Sequence, residues 1–160
     1  MIRLVVLSDS HGNRAGVEKL LPLIAENHYC VYLGDGVRDI SSVIGEYPKK
    51  VYFCAGNCDF FSDFPTEGIL EAEQVKIFYT HGHKYGVKSG LSALAKEAKS
   101  RGCSVAFYGH THMPLISEID GVLLVNPGSL RYDVDKGGSY AYVVVNGEKV
   151  TATLVGERYF

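Results

Sequence analysis

Two histidines two residues apart, His110 and His112, stand just past Gly109 and the apolar run of residues 105–108. On a strand or in a tight loop that spacing turns both imidazoles to roughly one side, and neutral imidazole is the commonest metal ligand among protein side chains. Taken alone, the quartet 109–112 is also what an ordinary surface loop carries. The same arrangement recurs, however: an apolar run of strand length, a Gly, Ser or Thr, and then side chains that bind metals. Ile2–Leu7 leads to Ser8-Asp9-Ser10-His11-Gly12, 29–33 to Gly34-Asp35-Gly36, 51–55 to Gly56-Asn57-Cys58-Asp59, and 75–79 to Thr80-His81-Gly82-His83. Every histidine but His28 falls just beyond such a run, which a random scatter would not produce.

The elements that must position these side chains follow from the apolar pattern. Residues 2–7 are β-rich and almost continuously apolar, as a strand buried on both faces is. A helix is expected over 13–26, capped by Asn13, with Val17, Leu20, Leu21 and Ile24 as its apolar stripe and Pro22 kinking or dividing it. With a strand at 29–33 this makes a right-handed βαβ unit. A short helix at 40–44 ends near Gly45, before a strand at 51–55. An aromatic loop follows, in which Phe60, Phe61 and Phe64 line substrate, form a subunit contact or simply pack. Residues 68–72 and 75–79 suit a hairpin. A helix over 89–100 has Leu91, Leu94, Ala95 and Ala98 inward and Gly102 at its C-terminal cap. Asp120-Gly121 and Asn146-Gly147 suit two-residue turns in the last two hairpins. The expectation is one α/β domain over residues 1–160, with two packed mixed sheets and helices outside them.

At 160 residues and 46% hydrophobic content, the chain can bury about two-thirds of its unfolded surface. A formal charge of −2 and a pI near 6.3 give no general attraction to nucleic acid or anionic membrane, and no loop carries a base-reading motif. Cys30, Cys54, Cys58 and Cys103 lack the density or CxxC spacing of a secreted framework, which fits reduced thiols in a cytoplasm. The N-terminus reads as a strand rather than a signal peptide, and no run approaches the roughly 18 apolar residues of a membrane span.

In open α/β sheets, function gathers beyond the carboxyl ends of the strands. All five ligand-bearing turns take that position, and together they supply Asp9, His11, Asp35, Asn57, His81, His110 and His112. This mixed oxygen and nitrogen set exceeds what one tetrahedral zinc uses, whereas two metals sharing a carboxylate would use it all. Asp35, alone between Gly34 and Gly36, is the natural bridge.

In chain order, Asp9-x-His11, Gly34-Asp35-x-x-x-Asp39, Gly56-Asn57-x-Asp59, His81-Gly82-His83 and Gly109-His110-x-His112 resemble the signature of the calcineurin-like metallophosphoesterases. The small size and Asn126-Pro127-Gly128-Ser129 look most like the compact YfcE-type phosphodiesterase branch, which also contains the scaffold subunit of retromer. The resemblance covers nearly the whole chain. It implies a four-layer αββα sandwich, a phosphodiesterase acting on small phosphodiesters, a small homo-oligomer, and two divalent ions. Manganese is the expected metal, and Fe, Co, Ni and Zn suit the same donors. It implies one metal held by Asp9, His11, Asp35 and His112, the other by Asp35, Asn57, His81 and His110, with a metal-bridging hydroxide attacking phosphorus in line. Asn57 and His83 then become candidate catalytic groups and, with Cys58, candidate substrate contacts. His83 either meets the phosphate and shuttles a proton or hydrogen-bonds a ligand. Asn126 either orients a ligand histidine or only turns the chain, and His28 is expected at the surface near a helix C-terminus. Other activities on the same fold are an interaction scaffold with a vestigial site and a phosphomonoesterase.

Two departures from the family pattern stand out. Where the family has histidine after Gly-Asn, placed to protonate the leaving oxygen or hold phosphate, this chain has Cys58. Asp39 lies four residues after Asp35 where three is usual, so a plain helix cap at Ile40 competes with a role at the site.

Overall fold

The computed structural model describes residues 1–60 and 63–156; Phe61, and with it part of the expected aromatic cluster, lies outside the described residues. In chain order the elements are β1 (Ile2–Leu7), α1 (Arg14–Glu18), α2 (Leu21–Glu26), β2 (Tyr29–Tyr32), α3 (Val37–Glu46), β3 (Val51–Phe53), β4 (Glu67–Ala72), β5 (Val75–Thr80), α4 (Ser92–Ser100), β6 (Val105–Phe107), β7 (Leu115–Ile119), β8 (Val122–Asn126), β9 (Tyr140–Asn146) and β10 (Lys149–Val155). They form two five-stranded sheets, ordered β10-β9-β1-β2-β3 and β4-β5-β6-β8-β7. Within the first, β1, β2 and β3 are parallel and β9 runs against β1. Within the second, β5, β6 and β8 are parallel, flanked by antiparallel β4 and β7. Each sheet thus has a parallel triplet whose carboxyl ends open on one side.

The period-two alternation of strand side chains sorts the core into three apolar layers. Leu4, Val6 and Val31 of one sheet meet Ile77, Phe107 and Val125 of the other. On the outer face of the first sheet, Val5, Leu7 and Tyr32 pack under Val17, Ile24 and Ile40 of the first three helices. On the outer face of the second, Phe78, Ala106 and Leu124 pack under Leu94, Ala95 and Ala98 of α4. The architecture is therefore the αββα sandwich expected, and burial on both faces explains the unbroken apolar runs.

Local differences from the expected elements have physical causes. The Asn13 side chain accepts the Gly16 N–H at 3.1 Å, and the helix it starts stops at Glu18. A second piece begins at Leu21 with Pro22 in its first turn, where the missing N–H removes no helical bond. The helix α3 spans Val37–Glu46 rather than 40–44, because the Asp59 carboxylate accepts the Gly36 and Val37 N–H groups and starts it early. α4 begins at Ser92, not 89. Asp120 and Gly121 turn with φ of 51° and 79°, as a two-residue hairpin requires. The last hairpin turns one residue later than Asn-Gly suggests: Asn146 pairs with Lys149, leaving Gly147-Glu148 as the turn. Gly147 is held there by the Glu73 carboxylate and the Gln74 N–H. His28 accepts the Arg3 N–H at 3.0 Å, so it fastens the chain ahead of β2 to β1. Among the described residues no helix is long and apolar enough to cross a membrane.

Leu4, fully buried in the central strand between the sheets, tests this core. Leu4→Ala is expected to lower unfolding free energy by about 2–5 kcal/mol, read from the urea midpoint at unchanged m-value; a loss below about 1 kcal/mol would contradict the placement.

Candidate metal centre

The carboxyl ends of both parallel triplets meet at one seam, and the loops leaving them are strained into place. Asp9, His11, Asp35, His110 and His112 all have positive φ, between 43° and 71°, a region that costs an L-residue about 1–2 kcal/mol. Cross-loop bonds hold them there. The Asp9 N–H donates to Gly34 O at 2.9 Å and the His11 N–H to Asp35 O at 3.0 Å, tying the β1 and β2 loops together. The buried Asn126 amide donates to Gly109 O at 3.2 Å and to Thr111 Oγ1 at 2.9 Å, so it sets the loop that carries His110 and His112. Gly109 is required by close approach, since a Cβ there would sit 2.6 Å from Asp9 Oδ2.

These loops bring the expected ligands into two groups, Asp9 with His11 and His112, and Asp35 with His81 and His110; within each, one ligand atom per residue lies within 4.8 Å of the others. In the first, His11 Nε2 and His112 Nε2 are 3.1 Å apart and stand 3.5 and 3.2 Å from Asp9 Oδ1. In the second, His81 Nε2 is 3.2 Å from His110 Nδ1 and 3.2 Å from Asp35 Oδ2. Asp35 Oδ2 is also 3.8 Å from His11 Nε2, so one carboxylate faces both groups. With the His81 Nδ1–H donating to Leu33 O at 2.7 Å, Nε2 keeps its lone pair for the seam.

Asp9 shows that this donor set fits a cation. It is 0% exposed, and its Oδ2 accepts the Ser8 hydroxyl and, at 3.0 Å, the His110 N–H. Its buried Oδ1 has no hydrogen-bond partner and faces imidazole nitrogens instead. A buried carboxylate with a bare oxygen is costly unless a positive charge meets it, and carboxylate with imidazole suits divalent first-row metals. The titration pattern agrees. Burial opposes ionisation of Asp9, yet His11 and His112 beside it hold its carboxyl well below the usual range. Burial also works against Asp35, where His81 prevails and lowers it. His11 is raised by the Asp9 carboxylate 3.5 Å away, against its burial. Burial would lower His81, but Asp35 and Asp9 raise it, while burial and His81 lower His110. In each group the carboxylates raise one imidazole, His11 or His81, and the same negative charge would attract a metal ion.

The remaining candidates surround the seam. Asn57 is exposed, its amide nitrogen 3.5 Å from Cys58 Sγ. Burial and then Asp35 push the Cys58 thiol up, and its backbone N–H donates to Asp35 Oδ1 at 2.7 Å. His83 opens a short 3-10 turn with its ring 5.3 Å from that of His81 and its buried Nδ1 unpaired; burial and His81 keep it neutral. Asp39 is no helix cap, since it lies inside α3 and accepts the Gly12 N–H at 2.8 Å and the Ser10 hydroxyl at 2.5 Å, bracing the loop of Asp9 and His11. Asp59 was missed as a functional position. Its carboxylate accepts the N–H groups of Asp35, Gly36, Val37 and Gly56 at 2.8 to 3.1 Å, locking the β2 and β3 loops together. The acid closing Gly56-Asn57-Cys58-Asp59 was the only sign of it in the sequence. A cavity of about 900 Å³ opens beside His11 and Asp35, walled by Arg38, Cys58, Phe60 and Phe64.

Fold and seam together define an αββα domain built to hold metal where its two sheets meet. Residues 2–148 match the calcineurin-like phosphoesterase superfamily domain, and the chain belongs to that superfamily. It is 31% identical to the phosphodiesterase YfcE of Escherichia coli strain K12, over 99% of this chain and 95% of that one. Among solved structures, a predicted phosphoesterase from Streptococcus pneumoniae superposes with a TM-score of 0.83 at 24% identity, covering 99% of this chain and 91% of that one. Vacuolar protein sorting 29 of Cryptosporidium parvum superposes with a TM-score of 0.77 at 18% identity, covering 96% of each chain. At those identities the two structures speak for the fold.

Asp59→Ala leaves backbone donors without their acceptor, and is expected to cost on the order of 3 kcal/mol in a urea melt. Asp59→Asn, which keeps one acceptor oxygen, should recover part of that. Equal stability of the alanine variant and the parent would refute the locking role.

Proposed function

We propose that this metallophosphoesterase is a dinuclear phosphodiesterase acting on small phosphodiesters. The observation that carries the proposal is the pair of ligand groups facing one carboxylate, Asp35, beside the bare oxygen of Asp9. In this reading Asp9, His11, Asp35 and His112 hold one ion, and Asp35, Asn57 (through its amide oxygen), His81 and His110 hold the other. Manganese is the expected metal, with Fe, Co, Ni and Zn compatible with the same donors. Two such ions supply an acidified water as nucleophile and fixed positive charge against the phosphoryl oxygens. The protein's own part is positioning. Asn57 and His83 stand beside the reacting phosphate, and His83, neutral with an unpaired Nδ1, can take up or pass on a proton. Cys58 contacts substrate where the family's histidine would protonate the leaving oxygen. A thiol does this poorly, so diesters and activated esters with good leaving groups are preferred. The four cysteines are free, in keeping with a cytoplasmic protein; residues 1–160 act as one domain, and a small homo-oligomer matches the family.

Metal-stripped protein should hydrolyse neither an aryl phosphodiester nor the matching monoester, and Mn²⁺ should restore the diester rate with about two ions bound per chain. Absence of any rate, with no metal retained, would replace this reading with that of an interaction scaffold on the same fold. Cys58→His is expected to raise the monoester rate by about 10²-fold relative to the diester, as a general acid does; unchanged rates on both would remove the proton-donor argument.

A further inference from the structure

We infer that the cavity beside the seam receives a nucleoside arm of the diester, its base stacked on Phe60 and Phe64 and its ring edge met by Arg38. The inference rests on the phosphodiesterase reading above and names the class of substrate. At about 900 Å³ the cavity has the size that holds a whole small-molecule ligand, far more than a phosphoryl group fills. His11 and Asp35 stand in its wall, so an ester arm of a phosphate bound at the seam opens into it. Phe60 is 70% exposed and Phe64 45%, large apolar side chains left in water beside a polar centre. The Phe64 ring is fixed edge-on against Phe53 of β3, with centroids 5.2 Å apart and planes at 77°, so what it shows the cavity is a rigid aromatic surface. Such a surface takes another planar ring at little cost in side-chain freedom.

The polar part of the wall selects among planar groups. The Arg38 guanidinium lines the cavity and has no hydrogen bond or ion pair among the described residues. An unpaired arginine suits either an anion or a ring with acceptors on its edge, and the surrounding charge separates the two. Asp39, Asp59 and Asp63 stand in the same wall, and the Gly36 and Val37 N–H groups, which open α3 and would otherwise attract an anion, are spent on Asp59. A second phosphate would meet like charge there. A neutral base does not: its face stacks on phenylalanine, and its ring nitrogens and carbonyl oxygens accept from the guanidinium. A plain aryl group would leave the donors of Arg38 unanswered, and an alkyl group would leave the aromatic faces unused. The formal charge of −2, with no general attraction to a phosphate backbone, restricts the occupant to a single nucleoside rather than a strand.

The test compares adenosine monophosphate with ribose phosphate, which share sugar and phosphate and differ by the base, as ligands of the Mn²⁺-loaded full chain in calorimetry. The parent should bind the nucleotide roughly 5- to 150-fold more tightly, the range that stacking one base on an aromatic side chain contributes. Phe60→Ala, at an exposed position where truncation costs the fold little, should reduce that ratio at least about 5-fold. Arg38→Lys keeps the charge but loses the planar fork, and should reduce it as well. Equal affinity for the two ligands, a preference untouched by both substitutions, or tighter binding of ribose bisphosphate than of the nucleotide would each overturn the nucleoside assignment. Metal-dependent hydrolysis of methyl nitrophenyl phosphate, measured in parallel, separates the two readings. Hydrolysis without a base preference removes the nucleoside arm and leaves the phosphodiesterase; absence of hydrolysis with every metal tried removes both.

Discussion

A fully buried carboxylate with one unpartnered oxygen is the condition around which the rest of this molecule is arranged. Removing a charge from water costs several kcal/mol unless opposite charge and hydrogen bonds replace the solvent. Asp9 has hydrogen bonds on Oδ2 only, from the Ser8 hydroxyl and the His110 backbone. Its other oxygen needs a cation, and the imidazoles nearby either bring protons or leave room for metal. To surround one carboxylate on the first sheet with His81, His110 and His112 from the second, both sheets must present carboxyl ends at the same seam. The parallel triplets do this, and the helices are displaced to the two outer faces.

The same demand explains the strained backbone. Non-glycine residues with positive φ are uncommon, and among the described residues they fall at five of the proposed ligand positions as well as in two hairpin turns. Strain of this kind persists only where surroundings over-determine it. Asp59, Asp39 and Asn126 provide that excess of constraint, each joining loops from different strands. Imidazole nitrogens are thereby fixed about 3 Å apart, a spacing they would not choose in solution.

Much of this was legible in the residues. Strand-length apolar runs ending in Gly, Ser or Thr gave the sheet content, and the position of histidines and acids after those runs gave the seam. Asp120-Gly121 and Asn13 acted where local chemistry said they would. The misses share one cause, control from far along the chain. Helix α3 starts at Val37 because Asp59, 22 residues on, accepts its first N–H. The final hairpin turns at Gly147 because the β4–β5 turn grips it. For Asp39 a cap and a role at the site stayed level in the sequence, since its partners, Ser10 and Gly12, lie on another loop. Sheet order and the grouping of Cys58 with His11 likewise depend on tertiary placement, which no local pattern records.

The pairing of β1 has a consequence for how the protein is made. Its first strand lies in the middle of its sheet, bonded on one side to β2 and on the other to β9, with Ile2 opposite Val145. A chain emerging from the ribosome can form the β1-α-β2-α-β3 portion early, and this brings Asp9, His11 and Asp35 together without His81, His110 or His112. That half-centre concentrates acids with little to neutralise them, and one edge of β1 stays open until nearly the whole chain has been released. Completion of the sheet and completion of the ligand set are therefore late, nearly simultaneous events, because contacts between residues more than a hundred positions apart close last. Metal uptake is then a property of the finished chain, and the centre forms as the two sheets close on each other.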